Sequence, residues 1–513
     1  MTPLPPLMDK GRIGDAVLIP VLSIAQAVAM GIGAFATRDA FSALHLGQGP
    51  AIAALVALLG AGIAVALLGW LIKQRAEAIG QSYANALRLT LYRHIAGMNL
   101  TALEQRRVGA LSLRFVGDLS AARNWFGRGL PLAISALVTL PGAATVLWLL
   151  HPHLALAAFV PLCAVIALTL GLAFGLERRH RTLRRKRANL SIAMIERIAV
   201  APMLDLMGRT PKELRNLNET GTVLRRNALE RTGHRNGLSG LMDIGASLAG
   251  VGTLLVAGQY GITAGLVAAA LAMIAILVTP LRELALVWDR YCGWRVAREK
   301  AQNLLAQPSA SRTSGNETAA ACVQLRGVVT LDVAAGAYHR IDPQSVAANV
   351  DLLRVIAGLD GAPEIELSWG AAAGPPVIAY IGERSAILQG SLRRAVTLGL
   401  KPRPSDAKIC KMLAHFGLTH LAEGETGLGV RVSEGGRSLA PQDRFILELV
   451  RAALANAGLV LIDGVGMKTG AKAHAGVKTL HRLRQTTIIV GDGLPGDRSD
   501  TSVLEQQVPP AGP

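Results

Sequence analysis

The sequence predicts a membrane all-α bundle of six helices with cytosolic helical extensions, followed by an α/β domain. Three observations lead there. Six stretches of about 20 residues, each the length that crosses a bilayer as a helix, are almost free of charge and all lie before residue 280. Two long segments between them are basic and helically patterned, as in Ala84, Leu87, Leu91 and Ile95. Far beyond the last apolar stretch, the strand-like run LVLID at 459–463 follows a helix-like segment and ends in Asp463.

Composition narrows the class. A chain of 513 residues with 51% apolar content and a mean hydropathy of +0.38 is not a cytosolic enzyme built only of globular domains. Aromatics are 4% and glycines 55, so Ala, Leu, Val, Ile and Gly supply the apolar mass, as in closely packed membrane helices. Intrinsic disorder and fibrous repeats are excluded as well. Cys163, Cys292, Cys322 and Cys410 are far apart with no CxxC pair, which points to packing rather than a disulfide framework or a metal centre.

The six expected spans are 16–36, 51–72, 130–150, 154–176, 238–258 and 260–279. The first reads as a retained helix, because no small-residue cleavage site with a polar region behind it follows Ala36. Asp243 is the one carboxylate inside a span, close to its cytosolic end, where a solvated position is the expected reading. The segment between the fourth and fifth spans carries Arg178, Arg179, Arg181, Arg184, Arg185, Lys186 and Arg187, and that between the second and third is also basic. The turns at 151–153 and 259–260 are nearly free of charge. Basic loops stay inside, so both termini are expected in the cytoplasm. The net charge of +18 is then accounted for by cytosolic loops, and no nucleic acid partner is expected.

Paired cytosolic extensions, short outer turns and a soluble domain after six spans resemble an ABC exporter half-transporter. The run RVGALSLRFVGD at 107–118 is similar to the GxLxxRxxxD segment of that family's first intracellular loop. Residues 433–439 (SEGGRSL), the helix ending RAAL at 451–454 and LVLID at 459–463 resemble its x-loop, signature helix and Walker B strand, in order and spacing. The resemblance implies an ABC-type nucleotide-binding-like domain, with ATP and Mg as the family's cofactors. It also implies a mechanical, coupling role for Arg107, Asp118, Ser433, Glu434 and Gly436.

The chemistry-bearing positions depart from the family. Where GxxxxGK[ST] is expected before 352–359, the chain reads PQSVAANVD at 343–351. Pro343 lacks an amide, Asn349 stands at the Lys position, and Val350 cannot ligate Mg. Glu383 occupies the Q-loop position, and Leu439, Ala440, Pro441, Gln442 and Asp443 replace the LSGGQ signature. Gly464 stands where the family has its catalytic Glu, and Asp492 where it has the switch His. Asp463 keeps the Walker B position. ATP and Mg binding are therefore expected to be weak or absent, no catalytic residue is assigned, and the chain is not expected to hydrolyse ATP by itself.

The expected organisation is a membrane domain over 1–305, a polar linker over 306–317, a degenerate nucleotide-binding-like domain over 318–502 and a disordered tail over 503–513. Arg far outnumbers Lys and Ala and Gly abound, as in a GC-rich bacterial genome, hence a bacterial inner membrane. The expected partners are membrane lipid and a second half-transporter, either a copy of this chain or an active relative. The expected function is a half-transporter subunit that forms part of a translocation path and relies on its partner for ATP hydrolysis. The alternative is a catalytically silent membrane scaffold or regulatory protein on the same fold.

Overall fold

The computed structural model describes residues 3–106, 111, 114–173, 176–284, 286–309, 315, 319–327, 330–341, 352–361, 364–369, 375–382, 386–463, 471–483 and 485–490. Two compact units divide the chain. One is Met1–Ala96 with Glu104–Pro308, and the other is Gly97–Leu103 with Ser309–Pro513.

The first unit is helical. Its elements are α1 (Lys10–His45), α2 (Ile52–Gly97), α4 (Leu119–Asn124), α5 (Leu130–Leu150), α6 (Pro152–Ala173), α7 (Leu176–Leu206), α8 (Thr210–Tyr260), α9 (Ala264–Leu284) and α10 (Val287–Leu305); α3 (Leu100–Glu104) lies almost wholly in the second unit. Two π-helical turns, Arg114–Asp118 and Trp125–Gly129, flank α4. Among the described residues six helices are long and apolar enough to cross a membrane. Where backbone groups cannot turn to water, helices satisfy them internally, although Pro20, Pro141, Pro161 and Pro280 each remove one donor from the ladder of the helix that holds them.

The extensions follow from length. At 1.5 Å per residue, the 46 residues of α2 and 51 of α8 run about 70 Å and 76 Å, more than twice a hydrocarbon core of about 30 Å. The fourth expected span, 154–176, is described as helix α6 up to Ala173, and residues 174–175 lie outside the described residues. The sixth begins later than 260. Gly261, in the left-handed region at φ 60°, closes α8, and α9 starts only at Ala264. Small residues set the helix spacing. A Cβ on Gly80 would lie 2.7 Å from the Gly127 Cα and 2.8 Å from the Arg123 carbonyl oxygen, so α2 packs against the π-helical turn backbone to backbone.

The second unit is α/β. An antiparallel sheet is ordered β2 (Leu331–Val333), β1 (Val323–Gly327), β4 (Ile365–Ser368). A parallel sheet is ordered β3 (Tyr338–Ile341), β9 (Thr486–Val490), β8 (Leu459–Asp463), β5 (Ile378–Ile381). The short pair β6 (Gly390–Ser391) and β7 (Arg431–Val432) stands apart. Helices α11 (Leu352–Ile356), α12 (Leu392–Thr397), α13 (Asp406–His415), α14 (Pro441–Leu454) and α15 (Ala471–Arg482) complete it. β8 is buried on both faces from Leu459 to Ile462, as a central parallel strand requires. One face packs on Leu353 and Ile356 of α11, and the other on the α14 core of Ile446, Leu449 and Val450.

Candidate functional site

Two places in the second unit combine polar groups at the ends of these elements. The first is the start of α14. Ser433 precedes a tight turn in which the Ser438 amide donates to the Ser433 hydroxyl at 2.8 Å, and the Ser433 amide donates to the Ser438 hydroxyl at 3.1 Å. Gly435 and Gly436 both sit at positive φ, 64° and 66°, and a Cβ on Gly436 would meet the Arg444 side chain at 2.9 Å. Only glycine satisfies both the backbone and the space. The Gly435 amide donates to the Ile387 carbonyl at 3.0 Å, and the Ala386 amide donates to the buried Glu448 carboxylate at 2.9 Å. The turn thereby holds segment 386–388 against α14, while Glu434 itself projects into solvent beside Arg437.

Leu439 and Ala440 lead into α14, with Pro441 in its first turn. Gln442 and Asp443 follow. The Asp443 carboxylate, mostly shielded from solvent, meets His420 Nε2 at 3.1 Å. A helix N-terminus attracts anions through its free amides and its dipole. In α14 a carboxylate of the chain itself already stands in that turn, Pro441 contributes no amide, and 439–443 offers neither hydroxyl nor glycine.

Asp463 closes β8, half-buried and in register with Val490 of β9. Tyr338 opens β3. Pro343, Asn349, Val350, Glu383, Gly464 and Asp492 lie outside the described residues, as does Arg107. Asp118 ends the first π-helical turn of the membrane unit.

The second place is one that sequence reasoning passed over. Segment 97–103, between the second and third spans in the chain, is part of the soluble unit. The Thr101 amide donates to Asp360 Oδ1 at 3.0 Å and its hydroxyl to Oδ2 at 2.7 Å. The Leu100 amide donates to the Leu359 carbonyl at 3.0 Å, and Met98 bridges Ser309. Asp360 reaches this position because Gly358, at φ 64°, ends α11 and turns 359–361 back. Thr101 and Glu104 stand at the T-x-x-E spacing that opens helices, but the helix already starts at Leu100 and the Thr101 hydroxyl goes to Asp360, so that spacing does not announce the contact.

A bundle of six membrane-crossing helices with long extensions, joined to an α/β unit with a parallel core sheet, defines the class of an exporter half with its ATP-binding-type domain on one chain. Residues 17–281, just over half of the chain, match the ABC transporter transmembrane region, and the chain belongs to that family. It is 21% identical over 451 residues to the uncharacterized ABC transporter ATP-binding protein YknV of Bacillus subtilis, covering 80% of this chain and 74% of that protein. It is 24% identical over 491 residues to a multidrug efflux ATP-binding/permease protein of Mycobacterium tuberculosis, covering 85% of this chain but only 39% of the relative. In fold it is similar to a bacterial Atm1-family ABC exporter solved with ATP bound, with a TM-score of 0.77 at 17% identity, covering 94% of this chain and 91% of the other.

Proposed function

We propose that this chain is the non-hydrolysing half of a two-bundle exporter, shaping a translocation path while a partner half-transporter supplies ATP chemistry. The observation that carries the reading is the start of α14, where Asp443 with His420 fills the turn that would have to receive a phosphate. A second anionic group there would face like charge, at a cost that adds to the missing donors. The residues at 439–443 thus do not fit a γ-phosphate, and the sequence at 343–351 offers no Lys and no Mg-ligating hydroxyl at the family positions. Asp463 alone keeps its family residue type.

Pairing is supported by the free end of the α7–α8 hairpin. Met203, Leu206, Met207 and Leu214 are all exposed there, Leu206 at 87%, about 45 Å along α7 from the end of the fourth span at 1.5 Å per residue. An apolar cluster that far from lipid calls for a protein surface. We place the chain in a bacterial inner membrane with both termini cytosolic, on the strength of its basic loops.

The test is ATP turnover by the purified chain, alone and with its partner. The expected result is no magnesium-dependent hydrolysis by the chain alone, with a background that Asp463→Ala leaves unchanged. Turnover abolished by Asp463→Ala would overturn the reading.

A further inference from the structure

Asp243 is the only charged residue within the six expected spans. The structure pairs it across helices: Arg282 of α9 donates through Nε to Asp243 Oδ1 of α8. Asp243 lies about 8 Å inside the inner end of the 238–258 span, counting 1.5 Å per residue, and Arg282 lies just past the end of the sixth span. The pair is not buried in the bundle, since the two side chains keep 51% (Arg282) and 43% (Asp243) of their surface exposed.

An ion pair on the outside of a membrane bundle has few places to face. Against hydrocarbon a charge is costly, and lipid tails offer no compensating hydrogen bond. A water-filled path, or a ligand carrying the complementary charges, removes that cost. The surface around the pair is graded. Ser247, one turn outward, is exposed, its hydroxyl bonded back to the Asp243 carbonyl at 2.9 Å. Beyond it Leu248, Val251 and Leu255 form an exposed apolar stripe at helical spacing along α8. A doubly charged base therefore meets an apolar wall running toward the opposite side of the bilayer.

We propose that Asp243 and Arg282 form the headgroup subsite for the cargo, and that the cargo is a zwitterionic amphiphile. Asp243 takes its ammonium, Arg282 takes its phosphate or carboxylate, and the apolar chain lies along Leu248, Val251 and Leu255. The intramolecular pair is what remains when the subsite is empty, each residue neutralising the other until a ligand exchanges in. The inference rests on the transport reading, but its test needs neither ATP nor a partner, so either can fail without the other.

The experiment is native mass spectrometry of the full chain titrated with three probes: lysophosphatidylethanolamine, lysophosphatidate and sphingosine. The unmodified chain is expected to prefer the zwitterion by about tenfold or more, the scale of one charge-assisted hydrogen bond. Asp243→Asn should transfer the preference to lysophosphatidate, and Arg282→Gln to sphingosine. The double exchange Asp243→Arg with Arg282→Asp keeps an ion pair, and with it both the fold and the zwitterion preference. Affinities that do not separate the three probes, or single variants that lose stability with the order of preference unchanged, overturn the proposal and leave the pair a structural one.

Discussion

The interior of the soluble unit and its rim differ in what they retain. The interior has the parallel order β3-β9-β8-β5 with α14 packed behind it, and Leu459, Val460, Leu461 and Ile462 are fully enclosed. The rim, where a nucleotide would be received, carries Asp443 with His420 and the proline start of α14. Packing constrains each enclosed side chain through its neighbours, and replacement costs the whole domain. A rim group bears on ligand chemistry and little else. Where only the fold constrains a residue, the rim is freer to change than the interior.

The largest effect expected from that contrast is in the interior. Leu461→Ala removes a side chain with no solvent exposure and should destabilise the soluble unit by roughly 2–5 kcal/mol, read by thermal unfolding of the full chain. Asp443→Ser at the rim should cost no more than about 1 kcal/mol, as expected for a partly exposed pair at a helix start. Comparable losses at both positions would end the contrast, because the rim would then be structural too.

An intermediate case sharpens the contrast. Gly436 belongs to the rim in sequence but to the interior in mechanics. Its φ is positive, and the Arg444 side chain would stand only 2.9 Å from a Cβ at this position, which leaves room for nothing larger. Gly436→Ala should therefore cost about 1–2 kcal/mol, more than Asp443→Ser, and should loosen segment 386–388, which hydrogen exchange at Ala386 and Ile387 would detect. If exchange there stays slow, the turn is not what holds that segment.

The sequence made the interior legible because burial repeats. Charge-free spans and the LVLID strand are runs in which many residues carry the same information, and α14 and β8 fall where the motif order placed them. Contacts between single polar residues far apart in the chain were not legible. Thr101 and Asp360 are 259 positions apart, and neither has a neighbour that announces the other. The same holds for His420 with Asp443 and for Arg282 with Asp243, pairs made by the fold rather than by spacing. The family-like run at 107–118 is the more conspicuous signal nearby, and its Asp118 ends a π-helical turn of the membrane unit.

The Thr101 contact is expected to have a modest effect on stability. Asp360→Ala removes the acceptor for both the Thr101 amide and hydroxyl and should cost about 1 kcal/mol, the net worth of exposed hydrogen bonds. Thr101→Val deletes only the hydroxyl bond and should cost less. Unchanged exchange kinetics across 97–103 in Asp360→Ala would mean that the carboxylate does not hold the segment.

The smallest effect expected is at the α7–α8 hairpin, and it depends on pH. Arg197 Nε donates to Glu213 Oε2 at 2.7 Å, with Arg209 at 3.6 Å from the other oxygen. The bond from Arg197 holds the Glu213 carboxyl below the ordinary glutamate range, and the charges of Arg197 and Arg209 add to it. A carboxyl with a lowered folded-state pKa contributes stability that is complete above its ordinary pKa and is lost as the pH falls through the lowered one. The hairpin should thus be indifferent between neutral and mildly acidic pH and loosen only below the ordinary carboxylate range. Because the pair faces water, salt should weaken it as well. Hydrogen exchange at 197–213 in the unmodified chain and in Glu213→Gln checks this directly. The variant should exchange slightly faster at neutral pH, and the two curves should merge in strong acid, where the carboxylate has taken up its proton. Curves that stay apart in acid would mean that Glu213 holds the hairpin by packing rather than by charge.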